Sequence, residues 1–362
     1  MKKIAVLHDY FNKRGGGERL ALILAESLKA DIFTGFVDRK KTYEEIKSFN
    51  VTEVSKKINN PILRIINLHN KFKQLNLKDY DLVIMSGTIC LSAARKNHPN
   101  IWYCHTPIRH LYSQKKWFFQ QLNLFQKIIL KLFHLYLKPV DQRNVKSVDK
   151  IICNAENVRN RVRKFYGKKF YNNSTVVYPP IEINKFKWKS QKDYYLSFAR
   201  IDKLKRIDLV VKAFKKIPDK NIVITSSGPE IENLKKQAEG FSNIKFTGYV
   251  SQNKLEELMG NCIATIYVPV DEDFGMSPVE GMSAGKPCIG VNEGGLKETI
   301  IHKKTGYLCP EKINSDEIVK AIRYMEKKTV LKMKKDCIKQ SKKFSTKNFV
   351  VEIKEEVEKI TK

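Results

Sequence analysis

The segment VDEDFGMSPVEGMSAGKPCIG, residues 270–290, gathers side chains that could do chemistry. Asp271, Glu272 and Asp273 stand side by side, and Glu280 follows Glu272 after seven intervening residues. Adjacent carboxylates could ligate a metal, a spaced pair could work as acid and base or bind sugar hydroxyls, and a charge run could be a solvated loop. A second group lies in SFARIDKLKRID, 197–208, where Arg200 and Lys205 are five residues apart. Arg offers a bidentate fork and Lys a point charge, so the two could hold a diphosphate and stabilise it as a leaving group. With four cations in seven residues, a solvated loop competes with that reading. A third group is the glycine triplet of HDYFNKRGGGERLALIL. Amides at a helix start suit a diphosphate, and glycine permits close approach. The triplet fits neither the P-loop nor the dinucleotide fingerprint and, alone, is more often a flexible turn.

The elements that must position these groups are read from apolar runs. In the first half KKIAVLH, DIFTGF, YDLVIMSG, NIWYCH and KIICNA read as strands. In the second half YYLSFAR, NIVITSSG, IKFTGYV, IATIYVP, PCIGVN and GYLC do so. Short continuous apolar runs suit parallel strands covered on both faces. Between them GERLALILAESLK and PEIENLKKQAEG have the length of crossover helices, the first expected to begin near Glu18. Pro278 suits a first helical turn, which puts Glu272 in a loop and Glu280 inside a helix. Two prolines in VVYPPIEINKFKWKSQKD mark a boundary near residue 183. The expected domains are 1–183 and 184–345, with a terminal helix over 346–362 that could return to the first. Both domains are α/β, doubly wound and Rossmann-like, with ligands at the carboxyl ends of strands lining a central cleft.

Composition limits the options. A chain of 362 residues with 42% hydrophobic content suits two globular domains. No apolar run reaches the ~20 residues of a spanning helix, and Asp9 interrupts the only run near the start, so a cytoplasmic protein is expected. The seven cysteines are scattered, without a C-x-x-C pair, and read as small hydrophobes. Net charge is +30; residues 1–180 carry 33 Lys and Arg against 13 Asp and Glu, a surplus of 20. Such a surplus reflects a lysine-rich composition or a polyanionic partner, either nucleic acid or an anionic membrane. The segment 113–138, SQKKWFFQQLNLFQKIILKLFHLYLK, interleaves lysine with Trp, Phe, Leu and Ile. It reads equally as a membrane-interfacial helix and as a crossover helix burying one face.

Taken in order, GGGER, CHTP, YPPIEINKF, R-x4-K, SGPE, FTGYVS, EDFGMSPVEGMSAGKPCIG and GGLKE span nearly the whole chain. This set resembles the retaining, nucleotide-sugar-dependent glycosyltransferases of family 4, whose signature is E-x7-E, and implies the GT-B fold. The resemblance assigns Arg200 and Lys205 to the donor diphosphate, Glu280 to the ribose and Glu272 to the transferred sugar. It places the amides of Phe274, Gly275, Met276 and Ser277 against sugar and diphosphate, and Gly16 against the phosphates from the first domain. Tyr249 and Val250 fall where the family cradles the base, and His105 at its histidine near the donor sugar. Gly17 departs from the commoner alanine of GGAER, a change that mainly adds flexibility. The family generally needs no divalent metal, so no cofactor and no metal site are expected.

WYCHTPIRHLYS resembles the matching stretch of O-antigen and capsule mannosyltransferases, which favours GDP-mannose and leaves UDP-sugars open. The implied acceptor is lipid-linked or a polysaccharide, met at the inner face of the cell membrane through an anionic surface. A nucleotide-sugar epimerase of the same fold is one alternative, though it lacks the E-x7-E and GGGER combination. A basic nucleic-acid-binding protein is the other, but no recognition motif supports it, so no nucleic-acid partner is expected.

Overall fold

The computed structural model describes residues 2–361. The chain divides into two compact units, Met1–Tyr178 with Phe349–Lys362, and Pro179–Asn348. The division thus falls between Tyr178 and Pro179, ahead of residue 183.

The first unit is built on strands β1 (Ile4–His8), β2 (Asp31–Thr34), β3 (Val51–Glu53), β4 (Leu82–Ser86), β5 (Asn100–Cys104), β6 (Lys150–Cys153) and β7 (Ser174–Val176). They form one parallel sheet in the order β3-β2-β1-β4-β5-β6-β7. Every residue of β1, β4 and β5 is buried, which is why these strands read as unbroken apolar runs. Helix Gly16–Leu28 lays Leu20, Leu24 and its neighbours on the sheet beside Val6, Ile32 and Ile84. Helix Thr346–Ile360 adds Phe349, Ile353 and Val357 to the same core.

Segment 113–138 is not one helix. A short helix, Lys115–Gln120, precedes a long one, Leu124–Lys146, which starts at a reciprocal capping box between Asn123 and Gln126. Phe133 and Leu137 pack with Leu111 and against Ile62, Ile65 and Ile66 of helix Pro61–Gln74, so one face is a buried crossover. Asp141 anchors the far end by accepting from the hydroxyls of Tyr112 and Tyr166. The other face leaves Leu124, Phe125, Ile128, Leu132 and Leu135 exposed. Among the described residues no helix is long and apolar enough to cross a membrane.

The second unit holds β8 (Tyr195–Ser197), β9 (Ile222–Thr225), β10 (Ile244–Gly248), β11 (Thr265–Ile266), β12 (Cys288–Val291) and β13 (Gly306–Cys309). Its parallel order is β10-β9-β8-β11-β12-β13. The segment after the two prolines is fixed to this unit by Trp188, whose ring lies under the ammonium groups of Lys286 and Lys334. Lys286 is fully buried, donates to the Ser190 carbonyl at 2.5 Å, and has its pKa lowered by burial to about 8. All seven cysteines are buried and unpaired with one another.

Candidate active site

In each sheet the strand order reverses beside the first strand of the unit, between β1 and β4 and between β8 and β11. At such a point neighbouring crossovers run to opposite faces, and the chain opens a crevice beyond the carboxyl ends. Lys205 and Glu272 follow the strands that flank one of these points, and His8 and Ser86 end the strands that flank the other.

In the second unit β8 leads through Ala199 to Arg200, and a single turn, Lys203–Lys205, follows. Asp202 caps that turn by accepting from the Leu204 amide at 3.0 Å. Lys205 Nζ then reaches the end of β11, donating to Tyr267 Oη at 2.8 Å and to Glu272 Oε2 at 2.7 Å. Tyr267 donates to the same Glu272 oxygen at 2.8 Å. Burial, and next the Glu272 carboxylate, raise the tyrosine's pKa far above its ordinary value, so it remains a donor at neutral pH. Arg200 is 73% exposed, with Asp202 at 3.9 Å. Sequence reasoning places Arg200, Lys205 and Glu272 at one site; the structure joins Lys205 to Glu272 and adds Tyr267.

The loop carrying Glu272 is held from two further sides. Arg206, with φ of 51°, donates to the Pro269 carbonyl at 3.2 Å and pairs with Glu293 at 3.0 Å. Glu293 in turn accepts from the Asp271 amide at 2.5 Å. Gly294 must be glycine here: its φ is 58°, and a Cβ would stand 2.4 Å from the Glu272 carbonyl. Arg206, Glu293 and Tyr267 are not singled out by the sequence. Nothing in a basic loop or a strand-end tyrosine marks a partner that is distant along the chain.

Helix Met276–Ser283 begins after Gly275, whose φ is 93° and whose Cβ would meet Leu296 at 2.5 Å. Phe274 is buried, while Met276 and Ser277 are partly exposed at the first turn. Pro278 lies in that turn, as its N-terminal preference predicts. Glu280 is partly exposed in the helix; burial raises its carboxyl to about 6, against the pull of Lys185 and with Glu182 adding to the rise. Tyr249, just beyond β10, is 83% exposed, and Val250 beside it is partly buried. Among the described residues no group of three or more His, Cys, Asp or Glu side chains could hold a metal ion.

In the first unit a cavity of about 330 Å³ lies at the carboxyl ends of β1, β4 and β5. His8, Asp9, Gly16, Gly17, Glu18 and His105 line it. Helix Gly16–Leu28 starts two residues before Glu18, so Gly16 and Gly17 belong to its first turn. Ser86 Oγ lies 2.9 Å from His105 Nε2, and His8 donates through Nδ1 to the Ser86 carbonyl at 2.5 Å. Burial lowers the His8 pKa to about 4, so its ring is uncharged at neutral pH. Asp9 accepts from the amides of Thr88, Ile89 and Cys90, fixing the loop after β4. An alanine at 17 would meet His8 at 3.7 Å and His105 at 4.0 Å, ordinary contacts, so no steric demand explains the glycine.

Two parallel-sheet, Rossmann-like units with cation and carboxylate groups at their switch points define the GT-B architecture. Residues 14–185 match the family model Glycosyltransferase Family 4, and residues 180–344 match Glycosyl transferases group 1. The chain belongs to the family 4 glycosyltransferases. It is 26% identical over 372 residues to the alpha-1,3/1,6-mannosyltransferase ALG2 of Dictyostelium discoideum, covering 84% of this chain and 86% of that one. Among solved structures it resembles Anabaena Alr3699/HepE in complex with UDP and glucose, with a TM-score of 0.75 at 17% identity, covering 99% of this chain and 100% of that one. It also resembles sucrose-phosphate synthase of Thermosynechococcus elongatus, with a TM-score of 0.78 at 15% identity and 99% of both chains covered. At those identities the two structures speak for the fold.

Proposed function

We propose that this enzyme transfers a hexose, with mannose favoured, from a GDP- or UDP-linked donor to a lipid-linked or glycan acceptor, with retention at the anomeric carbon. The observation that carries the reading is the Lys205–Tyr267–Glu272 cluster at the β8/β11 switch point. Arg200 and Lys205 meet the charge that builds on the departing diphosphate. Glu272 receives hydrogen bonds from both Lys205 and Tyr267, which suits a fixed acceptor for sugar hydroxyls better than a nucleophile. Glu280 takes the ribose, the first turn of Met276–Ser283 offers amides to sugar and phosphate, and Tyr249 with Val250 borders the base. On the first unit, the cavity beside His105, Gly16 and Gly17 takes the reacting ends of the substrates. A transfer assay with GDP-mannose and UDP-hexoses tests the reading: turnover with none of them, even as hydrolysis, would contradict it.

Charge neutralisation by Arg200, Lys205 and helix amides makes a metal unnecessary. Transfer is therefore expected to continue in EDTA at an undiminished rate. Loss of activity in EDTA with recovery on adding manganese would return Asp271 and Asp273 to consideration as ligands.

The raised pKa of Glu280 gives donor binding a pH dependence. Above about 6 the carboxylate accepts from both ribose hydroxyls; below it, protonation turns one oxygen into a donor. Donor KM is expected to rise as pH falls through about 6, with kcat less affected. Glu280→Gln should raise KM at neutral pH and flatten that part of the profile. An unchanged KM–pH profile in the variant would remove Glu280 from the ribose.

The exposed face of helix Leu124–Lys146 docks on an anionic bilayer from the cytoplasmic side. Leu124 is 76% exposed, Phe125 72% and Leu135 68%, with Lys127, Lys131 and Lys138 interleaved. Apolar residues enter the acyl boundary while lysines stay with the headgroups. The surplus of 20 positive charges in residues 1–180 makes an anionic surface the complementary partner.

A further inference from the structure

A second cavity, of about 640 Å³, lies along the same sheet edge of the first unit, beyond the ends of β2 and β3. Phe36, Val54, Ser55, Lys56, Lys57 and Lys71 line it. The loops after β1, β2 and β3 continue to pair with one another. Gly35 donates its amide to the Asp9 carbonyl at 3.1 Å, and Ser55 to the Gly35 carbonyl at 2.9 Å. The edge is therefore one continuous ledge. Tyr10 lines the smaller cavity and stacks on Phe36 of the larger, with ring centroids 5.1 Å apart and planes at 12°. Arg64 covers Tyr10 from helix Pro61–Gln74, and the same helix supplies Lys71.

The charges in the larger cavity are unequally engaged. Lys57 pairs with Asp38 at 3.0 Å, and Glu53 is taken up by Arg39 at 3.5 Å and by the Val37 amide at 2.8 Å. Among the described residues Lys56 and Lys71 have no ion-pair partner. An apolar floor of the partly exposed Val37 and Val54, backed by the buried Phe36, in a cavity lined by two lysines without ion-pair partners matches a sugar ring that carries a negative charge. Its CH face would cover the floor, and its anionic substituent would lie between the lysines.

We propose that this cavity is an acceptor subsite for an anionic sugar residue, located upstream of the residue whose hydroxyl reacts in the cavity beside His105. The inference rests on the glycosyltransferase reading but is tested without donor or turnover. The full chain is titrated calorimetrically with trigalacturonate, with maltotriose as a neutral trisaccharide, and with glycerol 3-phosphate as a soluble headgroup. Trigalacturonate is expected to bind at least about tenfold more tightly than either. Lys56→Ala/Lys71→Ala should weaken it about tenfold, whereas Lys328→Ala/Lys332→Ala, an equal charge loss on the second unit, should leave it unchanged. All four lysines are exposed, so both double variants should melt like the parent. No preference for trigalacturonate over maltotriose, equal losses in the two double variants, or equally tight binding of glycerol 3-phosphate would each overturn the proposal. A protein that binds trigalacturonate in this pattern yet turns over no nucleotide sugar would keep the subsite and sink the transferase reading instead.

Discussion

Replacing Lys205 with alanine is expected to lower kcat by ~10²–10³-fold while donor KM changes little. As the bond between sugar and phosphate breaks, negative charge gathers on the leaving diphosphate, and a preorganised cation is worth most at that moment. Lys205 is preorganised in this sense. Its ammonium is fixed by Tyr267 at 2.8 Å and Glu272 at 2.7 Å, and it lies against the tyrosine ring. Arg200→Ala should act in the same direction, through a more exposed side chain that must be drawn onto the phosphates. Glu272→Ala should impair kcat and KM together, because it removes a sugar contact and also frees Lys205 and Tyr267 from their shared partner. Steady-state kinetics of the purified variants, with melting curves to show that they are folded, make the check. Wild-type kcat in both Lys205→Ala and Arg200→Ala would reduce the pair to a solvated loop.

The triple variant Leu124→Ser/Phe125→Ser/Leu132→Ser is expected to bind anionic vesicles more than about 100-fold less tightly. Burying each of these side chains fully is worth about 1.5–3 kcal/mol, so three insertions to about two-thirds depth amount to at least ~3 kcal/mol, roughly 100-fold. Lysines near the surface add roughly 1 kcal/mol each, and that share shrinks as salt shortens the Debye length. Parental binding should therefore weaken with salt without vanishing. The three residues point away from the Phe133–Leu137 side, so melting temperature should hold or rise. Co-sedimentation with phosphatidylglycerol vesicles measures the change. Equal pelleting of parent and variant would remove the helix from the membrane, and a parent that dimerises where the variant does not would assign the face to a second copy.

The long strands are legible because a strand buried on both faces is written in continuous apolar residues, as in IAVLH and LVIMS. β3 and β7 are not: each has three residues, lies at a sheet edge and is only partly buried, so VTE and STV carry no apolar run. The long segment near residue 120 reads as one helix because periodicity does not register a cap. The side chains of Asn123 and Gln126 each bond the other's backbone, and that exchange separates the two helices. Sequence leaves its two readings open because it is apolar on two sides, and only the placement of Ile62, Ile65 and Ile66 shows which side is covered. Spacing and the family resemblance single out Arg200, Lys205, Glu272 and Glu280, and of these the structure joins Lys205 to Glu272. Tyr267, Arg206 and Glu293 act through contacts between the end of β11, the turn after β8 and the loop after β12, which no local pattern records.

A thermal-shift titration of the full chain with GDP and UDP tests the central claim most directly. A nucleotide that binds only the folded state stabilises it by about 2.7 kcal/mol at 100 times its Kd. One of the two is expected to produce such a shift and the other a smaller one, with Glu280→Ala requiring a higher concentration of the preferred nucleotide for the same effect. No shift with either nucleotide, or an equal shift in Glu280→Ala at every concentration, would contradict a donor site on the second unit.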